Sequence, residues 1–108
     1  MREAYHKELE SISQALVKMA NLVGSAMGRA TGAQMAAGIQ QAQSVTSTAE
    51  QVEALQRNLE ERAIAEPTRQ QPLATDPRMV VTSLRMSADL ERCGVLAQHV
   101  ATVARRRY

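Results

Sequence analysis

Along the first third of the chain apolar positions recur without a break. Tyr5, Leu9, Ile12, Leu16, Met19, Val23, Ala26 and Ala30 are spaced alternately four and three residues apart. That spacing keeps side chains on one seam of an α-helix packed against its neighbours. The positions between them are largely polar, so the pattern predicts a helix from about Arg2 to Ala36. Along its stripe the side chains shrink from Leu and Met to Ala. Gly24, Gly28 and Gly32 recur every four residues on a common face, each costing about 1 kcal/mol of helix propensity relative to Ala. Two readings stand side by side: a close helix–helix crossing, or a surface face under little constraint.

Gly38 separates this stretch from the next and is the expected turn. A second helix is predicted from about Ile39 to Glu66, with Ala42, Val45, Ala49, Val52, Leu55 or Gln56, Leu59 and Ala63 as its stripe. Ser44, Thr46, Ser47 and Thr48 weaken its propensity. Pro67 cannot continue it without losing a backbone hydrogen bond. Residues 67–76 read as the one clear linker. Asp76-Pro77 is a good helix start, with Asp as N-cap and Pro at the first helical position. The third helix is predicted from Pro77 to about Arg107, with Met86, Leu90, Cys93, Ala97, Val100 and Ala104 as its stripe. Cys93 is thereby expected to be a small core residue. Helices of about 28 to 35 residues are roughly 42 to 52 Å long, and short connections make consecutive ones antiparallel. The expected fold is all-α: an elongated up-down-up antiparallel three-helix bundle, similar to a spectrin-like repeat, forming a single domain over 1–108.

Composition supports this reading. Among 108 residues there is no Phe or Trp and there are only two Tyr, while 44% are apolar. A core of Ala, Leu, Val, Ile and Met suits closely packed helices, and strands would carry more aromatic and β-branched residues. The net charge of +2 is small, and Arg105, Arg106 and Arg107 form one terminal cluster rather than a basic face. The dipole of the third helix explains them better than nucleic acid does. One cysteine provides neither a disulfide framework nor a metal-binding pair. No apolar run approaches the roughly 18 residues of a membrane span. Met1-Arg-Glu-Ala-Tyr-His-Lys-Glu8 has no apolar segment of the signal-peptide kind, so the expected location is cytoplasmic.

The chemistry-bearing residues form no nucleophile–base pattern and no phosphate loop, so no catalytic residue is assigned. His6 and His99 have no partner spacing. Glu91, Val95 and His99 follow one line on the third helix, but Val95 interrupts it. On the second helix Glu50 and Glu53 lie three apart on a partly solvated face. Glu8, Glu10, Glu60 and Glu61 read as solvated charges. Arg78, Arg85 and Arg92 repeat every seven residues and could meet an acidic partner surface. An intrahelical pair of Arg85 with Asp89 is the competing reading.

Several stretches resemble the PhoU family, particularly its actinobacterial type: Met1-Arg-Glu-Ala-Tyr-His-Lys-Glu-Leu9, Leu59-Glu-Glu-Arg-Ala63, Gln70-Gln-Pro-Leu-Ala-Thr-Asp76, Arg78-Met-Val-Val-Thr-Ser-Leu-Arg85, Ala88-Asp-Leu-Glu-Arg92 and the ending Ala97-Gln-His-Val-Ala-Thr-Val-Ala-Arg-Arg-Arg-Tyr108. The resemblance runs over nearly the whole chain, which corresponds to the first of the family's tandem three-helix repeats. It implies a non-enzymatic cytoplasmic regulator of phosphate uptake and phosphate-starvation signalling. The expected partners are a sensor histidine kinase and the ATPase of the phosphate ABC transporter. Several family members hold metal through acidic pairs on the second and third helices, which by this resemblance fall here at Ala49/Glu53 and Glu91/Val95. One carboxylate is missing from each, which leaves Glu53 and Glu91 as weak metal candidates and no expected cofactor. Where the family has a leucine-rich end to the second helix, this chain has Ile64-Ala-Glu-Pro-Thr-Arg69. A single repeat lacks the neighbouring bundle, so a homodimer is expected. A metal-binding bundle with a degenerate carboxylate site, an inactive single-repeat paralogue and weak nucleic-acid binding through Arg105–Arg107 are the alternatives.

Overall fold

A computed structural model describes residues 2–36, 39–63 and 77–107. They form three helices: α1 (Arg2–Ala36), α2 (Ile39–Ala63) and α3 (Pro77–Arg107). The stripes predicted for α1 and α2 are the ones that turn inward. Ile12, Met19, Val23, Ala26 and Ala30 of α1 are buried, as are Ala42, Val45, Ala49, Val52 and Leu59 of α2. Burying these stripes drives assembly, because each fully buried Ile, Met, Val or Leu side chain contributes about 1.5–3 kcal/mol and each alanine less.

The order of the contacts fixes the topology. Arg62, near the end of α2, reaches Ser11, near the start of α1, at 3.2 Å. At the opposite end Gly32 of α1 lies beside the Gln41 side chain. The two helices are therefore antiparallel. The earlier part of α3 (Met79, Val80, Leu84, Leu90) packs against the cluster of Ile12, Met19, Val23, Val52 and Leu59, and its later part (Ala97, Ala101) clusters with Ala26, Ala30, Ala42 and Val45. α3 therefore runs parallel to α1, and the bundle is up-down-up, 55 Å long and 20 Å across. The core tapers. One half is built from Ile, Met, Val and Leu, the other from alanines and Val45, so the helices can approach more closely at the second.

In α3 the structure corrects the predicted seam. Met86 and Cys93 are exposed. The buried positions are Ser83, Ser87, Gly94, Ala97 and Ala101, while Leu90 and Val100 sit half-buried at the edge. The seam is turned by about one residue because α3 lies in a groove already filled by Met19, Val23 and Val52, where small side chains fit. A Cβ on Gly94 would meet Val52 at 3.9 Å. Buried Ser87 donates to the Leu84 carbonyl at 2.9 Å, so its hydroxyl is not left without an acceptor.

Of the three regularly spaced glycines, Gly32 is the one that approaches the neighbouring helix: a Cβ there would lie 3.2 Å from the Gln41 side chain, whereas one on Gly94 would make only ordinary contact with Val52. At Gly24 and Gly28 an added Cβ would have nothing within 4 Å, so none of the described helices crosses there. Replacing either by Ala is expected to stabilise the protein by up to about 1 kcal/mol through helix propensity alone, measurable as a shift in the urea midpoint. The expected turn at Gly38, the end of the second helix at 64–66, the break at Pro67, the linker 67–76 and the N-cap Asp76 lie outside the described residues. So do the side chains of Tyr5 and Ala104.

Candidate functional site

The two carboxylates singled out from the sequence come from neighbouring stretches of α2 and α3, close to the Gly94–Val52 contact. Glu53 is exposed and holds Arg57 at 2.7 Å, one turn along its own helix. Glu91 is half-buried. Ala49 is buried and Val95 is exposed, and neither offers a donor atom. Among the described residues no group of three or more His, Cys, Asp or Glu is placed to hold a metal ion. A hard cation needs six or more oxygen ligands; two carboxylates, one already committed to Arg57, do not fit that demand. His6 and His99 are exposed on different helices.

Arg78, Arg85 and Arg92 are all exposed along α3. The pairing of Arg85 with Asp89 does not form. Asp89 instead accepts from Arg92 at 3.3 Å, three residues on. Both partners are largely exposed, so the contact adds little stability. Arg106 is exposed at the end of α3.

Glu8 departs from its expected role as a solvated charge. It is half-buried, and its Oε1 is shielded from water with no hydrogen-bond partner. Burial raises its pKa from the ordinary 4.5, and the charge of Arg62 opposes the shift only in part. With the folded value above the unfolded one, the folded state holds the proton more tightly. This group's favourable contribution is present at acid pH and is lost as pH rises through the folded value. Glu8→Gln is therefore expected to raise the thermal midpoint at pH 7. The gain should vanish below about pH 4.5, as a pair of melting curves would reveal.

A polar cluster between α1 and α2 was not singled out from the sequence. Arg29 of α1 is half-buried. Its Nε donates to the Ser25 carbonyl at 3.3 Å, Nη1 donates to Ser44 Oγ, and Nη2 donates to Thr48 Oγ1 at 2.8 Å. Thr48 in turn donates to the Ser44 carbonyl at 3.0 Å. The signal in the sequence is the run Ser44, Thr46, Ser47, Thr48, two of whose hydroxyls meet Arg29.

Two surface features complete the inventory. Side chains that the core does not use remain exposed on α1 and α3: Met27 is 41% exposed, Leu96 58% and Val103 55%. A shallow depression of about 580 Å³ is lined by Glu10, Gln14, Val17, Lys18 and Leu22 among others, all from α1. With one helix supplying every wall, it encloses no ligand. No described helix is long and apolar enough to cross a membrane.

Comparison with known proteins bears on this helical surface. The family model described as "PhoU domain" matches residues 16–104. The chain is 43% identical over all 108 residues to a phosphate-specific transport system accessory protein, PhoU homolog 2, of Mycobacterium tuberculosis, and covers 51% of that protein. It is 40% identical over its whole length to PhoU homolog 1 of Mycobacterium leprae, covering 49% of it. Identity is 34% over 95 residues with the PhoU homolog of Aquifex aeolicus, 88% of this chain and 43% of that one. The chain thus spans about half the length of the curated relatives it matches. No solved structure matches it.

Proposed function

The chain belongs to the PhoU family, and from that premise we propose that it is a regulatory adaptor of phosphate uptake and phosphate-starvation signalling. It acts by binding other proteins in the cytoplasm, not by catalysis. The observation that carries this reading is the match over the whole chain to accessory proteins of phosphate-specific transport. The distribution of side chains agrees with it, since the chemistry-bearing residues are spread over outer faces instead of converging in a cleft.

The partners of this reading are a sensor histidine kinase and the ATPase of a phosphate ABC transporter, contacted through Arg78, Arg85 and Arg92. Guanidinium groups at seven-residue spacing suit an acidic surface, because arginine pairs with carboxylates in a bidentate fork. The bundle also pairs with a second copy. Exposed Met27, Leu96 and Val103 supply apolar surface, and the open space over Gly24 and Gly28 leaves room for incoming side chains.

Affinity capture of purified kinase and transporter ATPase by this chain tests the adaptor role. Retention of at least one is expected, with a loss of roughly tenfold or more on Arg85→Glu with Arg92→Glu, because like charge now opposes the acidic partner. Retention of neither protein overturns the reading. Light scattering at micromolar concentration tests the self-association, and an 11.8 kDa monomer would overturn that part alone.

A further inference from the structure

The cluster around Arg29 is rich in donors and poor in acceptors. A guanidinium carries five N–H donors. Three are used here, on the Ser25 carbonyl, Ser44 Oγ and Thr48 Oγ1. The remaining two, both on Nη atoms, have no acceptor among the described residues, and neither does the Ser44 Oγ–H. Thr48 has already spent its proton on the Ser44 carbonyl.

The charge is also unanswered. Arg29 is half-buried between two helices, yet its acceptors are all neutral and it makes no ion pair among the described residues. Removing a cation from bulk water without a counter-charge is costly. Among the described residues the surrounding seam supplies none. Asn21 and Ser25 precede Arg29 on α1, and Gln40, Gln41, Ser47 and Gln51 flank Ser44 and Thr48 on α2. The first acid beyond them, Glu50, lies two residues past Thr48, about 200° round the helix. Glu53 is paired with Arg57.

We propose that the α1–α2 groove at Arg29 binds a small tetrahedral oxyanion, with inorganic phosphate as its simplest representative. The anion would accept the two uncommitted Nη–H groups and the Ser44 hydroxyl proton, and would supply the missing counter-charge. Charge-assisted hydrogen bonds of this kind are about twice as strong as neutral ones. A single guanidinium and a hydroxyl in a groove open to water set the affinity at about millimolar. Gln41, beside Gly32 one turn further along α1, is a neutral side chain at the edge of the groove.

The test is titration of the full chain with inorganic phosphate, followed by amide and guanidinium NMR shifts. Saturable shifts at Ser25, Arg29, Ser44 and Thr48 are expected, with sulfate competing and chloride not. Arg29→Gln should weaken binding at least tenfold, and Arg29→Lys, which keeps the charge but loses the fork, should weaken it several-fold. Ser44→Ala should have a smaller effect, and Arg106→Gln, at the exposed end of α3, none. Because Arg29 joins two helices, each variant is checked for helicity. If Arg29→Gln does not fold, the NMR map and Arg29→Lys decide the matter. No shift in the cluster at about 10 mM phosphate, shifts confined to the α3 terminus, or unchanged affinity in Arg29→Lys would each overturn the proposal. No partner protein takes part, so this outcome is independent of the adaptor reading.

Discussion

Truncating Met19 to Ala is expected to lower stability by about 2–5 kcal/mol, the range for deleting a buried Met or Leu side chain. Met19 is fully buried in the half of the bundle built from larger side chains, where it clusters with Ile12, Val23, Val52 and Leu59. The void left behind would touch side chains from all three helices, and helices held at this spacing by Leu and Met cannot all collapse onto it. A domain of this size loses about 4–8 °C of Tm per kcal/mol, so a fall of roughly 10 °C or more should appear by calorimetry. The transition is expected to stay cooperative, since each core cluster draws on all three helices. A change within 2 °C of the unaltered protein would show that Met19 does not fill the shared core.

The opposite change has the second largest effect, at the opposite end. Ala97→Leu is expected to destabilise by about 1–3 kcal/mol through overpacking. Ala97 is fully buried among Ala26, Ala30, Ala42, Val45 and Ala101, so three extra carbons have no space unless the helices separate. Leucine is nearly as good a helix former as alanine, which makes lost propensity a minor contribution. Ala20→Leu provides the control: Ala20 is exposed on α1, and the same chemical change there should be close to neutral by urea denaturation. Equal effects at the two positions would mean that the helices do not approach closely at the alanine end.

Together these expectations separate what the sequence encodes legibly from what it does not. The stripes of α1 and α2 could be read because their inward positions are the apolar ones, and Ile12, Met19, Val23, Val45, Val52 and Leu59 are all buried. In α3 the same logic selected Met86 and Cys93, which are exposed, and passed over Ser83, Ser87 and Gly94. Hydrophobic periodicity looks for large apolar side chains. A helix fitting into a groove that its neighbours already fill needs small ones, and a serine hydroxyl can meet its need within its own helix, as Ser87 does. Size complementarity depends on the other two helices, so α3 alone could not reveal it.

The surface residues divide in the same way. That Glu53 and Glu91 stand without acidic residues at 49 and 95 is what the family resemblance implies when it is laid on the residues at those positions. Glu8 was not legible, because the burial of its Oε1 depends on packing against other helices, which bring Arg62 of α2 within reach of its charge. Nor was the partner of Asp89, since residues three and four apart are both within reach on a helix and the side-chain rotamers decide between them. Arg29 was the clearest omission. An arginine bordering an apolar stripe looks like any helix-flank charge until Ser44 and Thr48 are set opposite it.

The taper of the core also sets where the molecule opens. Alanine removes far less apolar surface from water per turn than leucine or methionine, so each turn of the narrow half is held by a smaller hydrophobic contribution. Local unfolding follows such differences. Backbone amides near Ala26, Ala30, Ala42 and Val45 should exchange with deuterium before those near Ile12, Met19, Val52 and Leu59. Arg29, Ser44 and Thr48 lie in that more labile half. Whatever binds them would therefore slow exchange over the whole end, turning a local contact into a change in which part of the bundle stays shut.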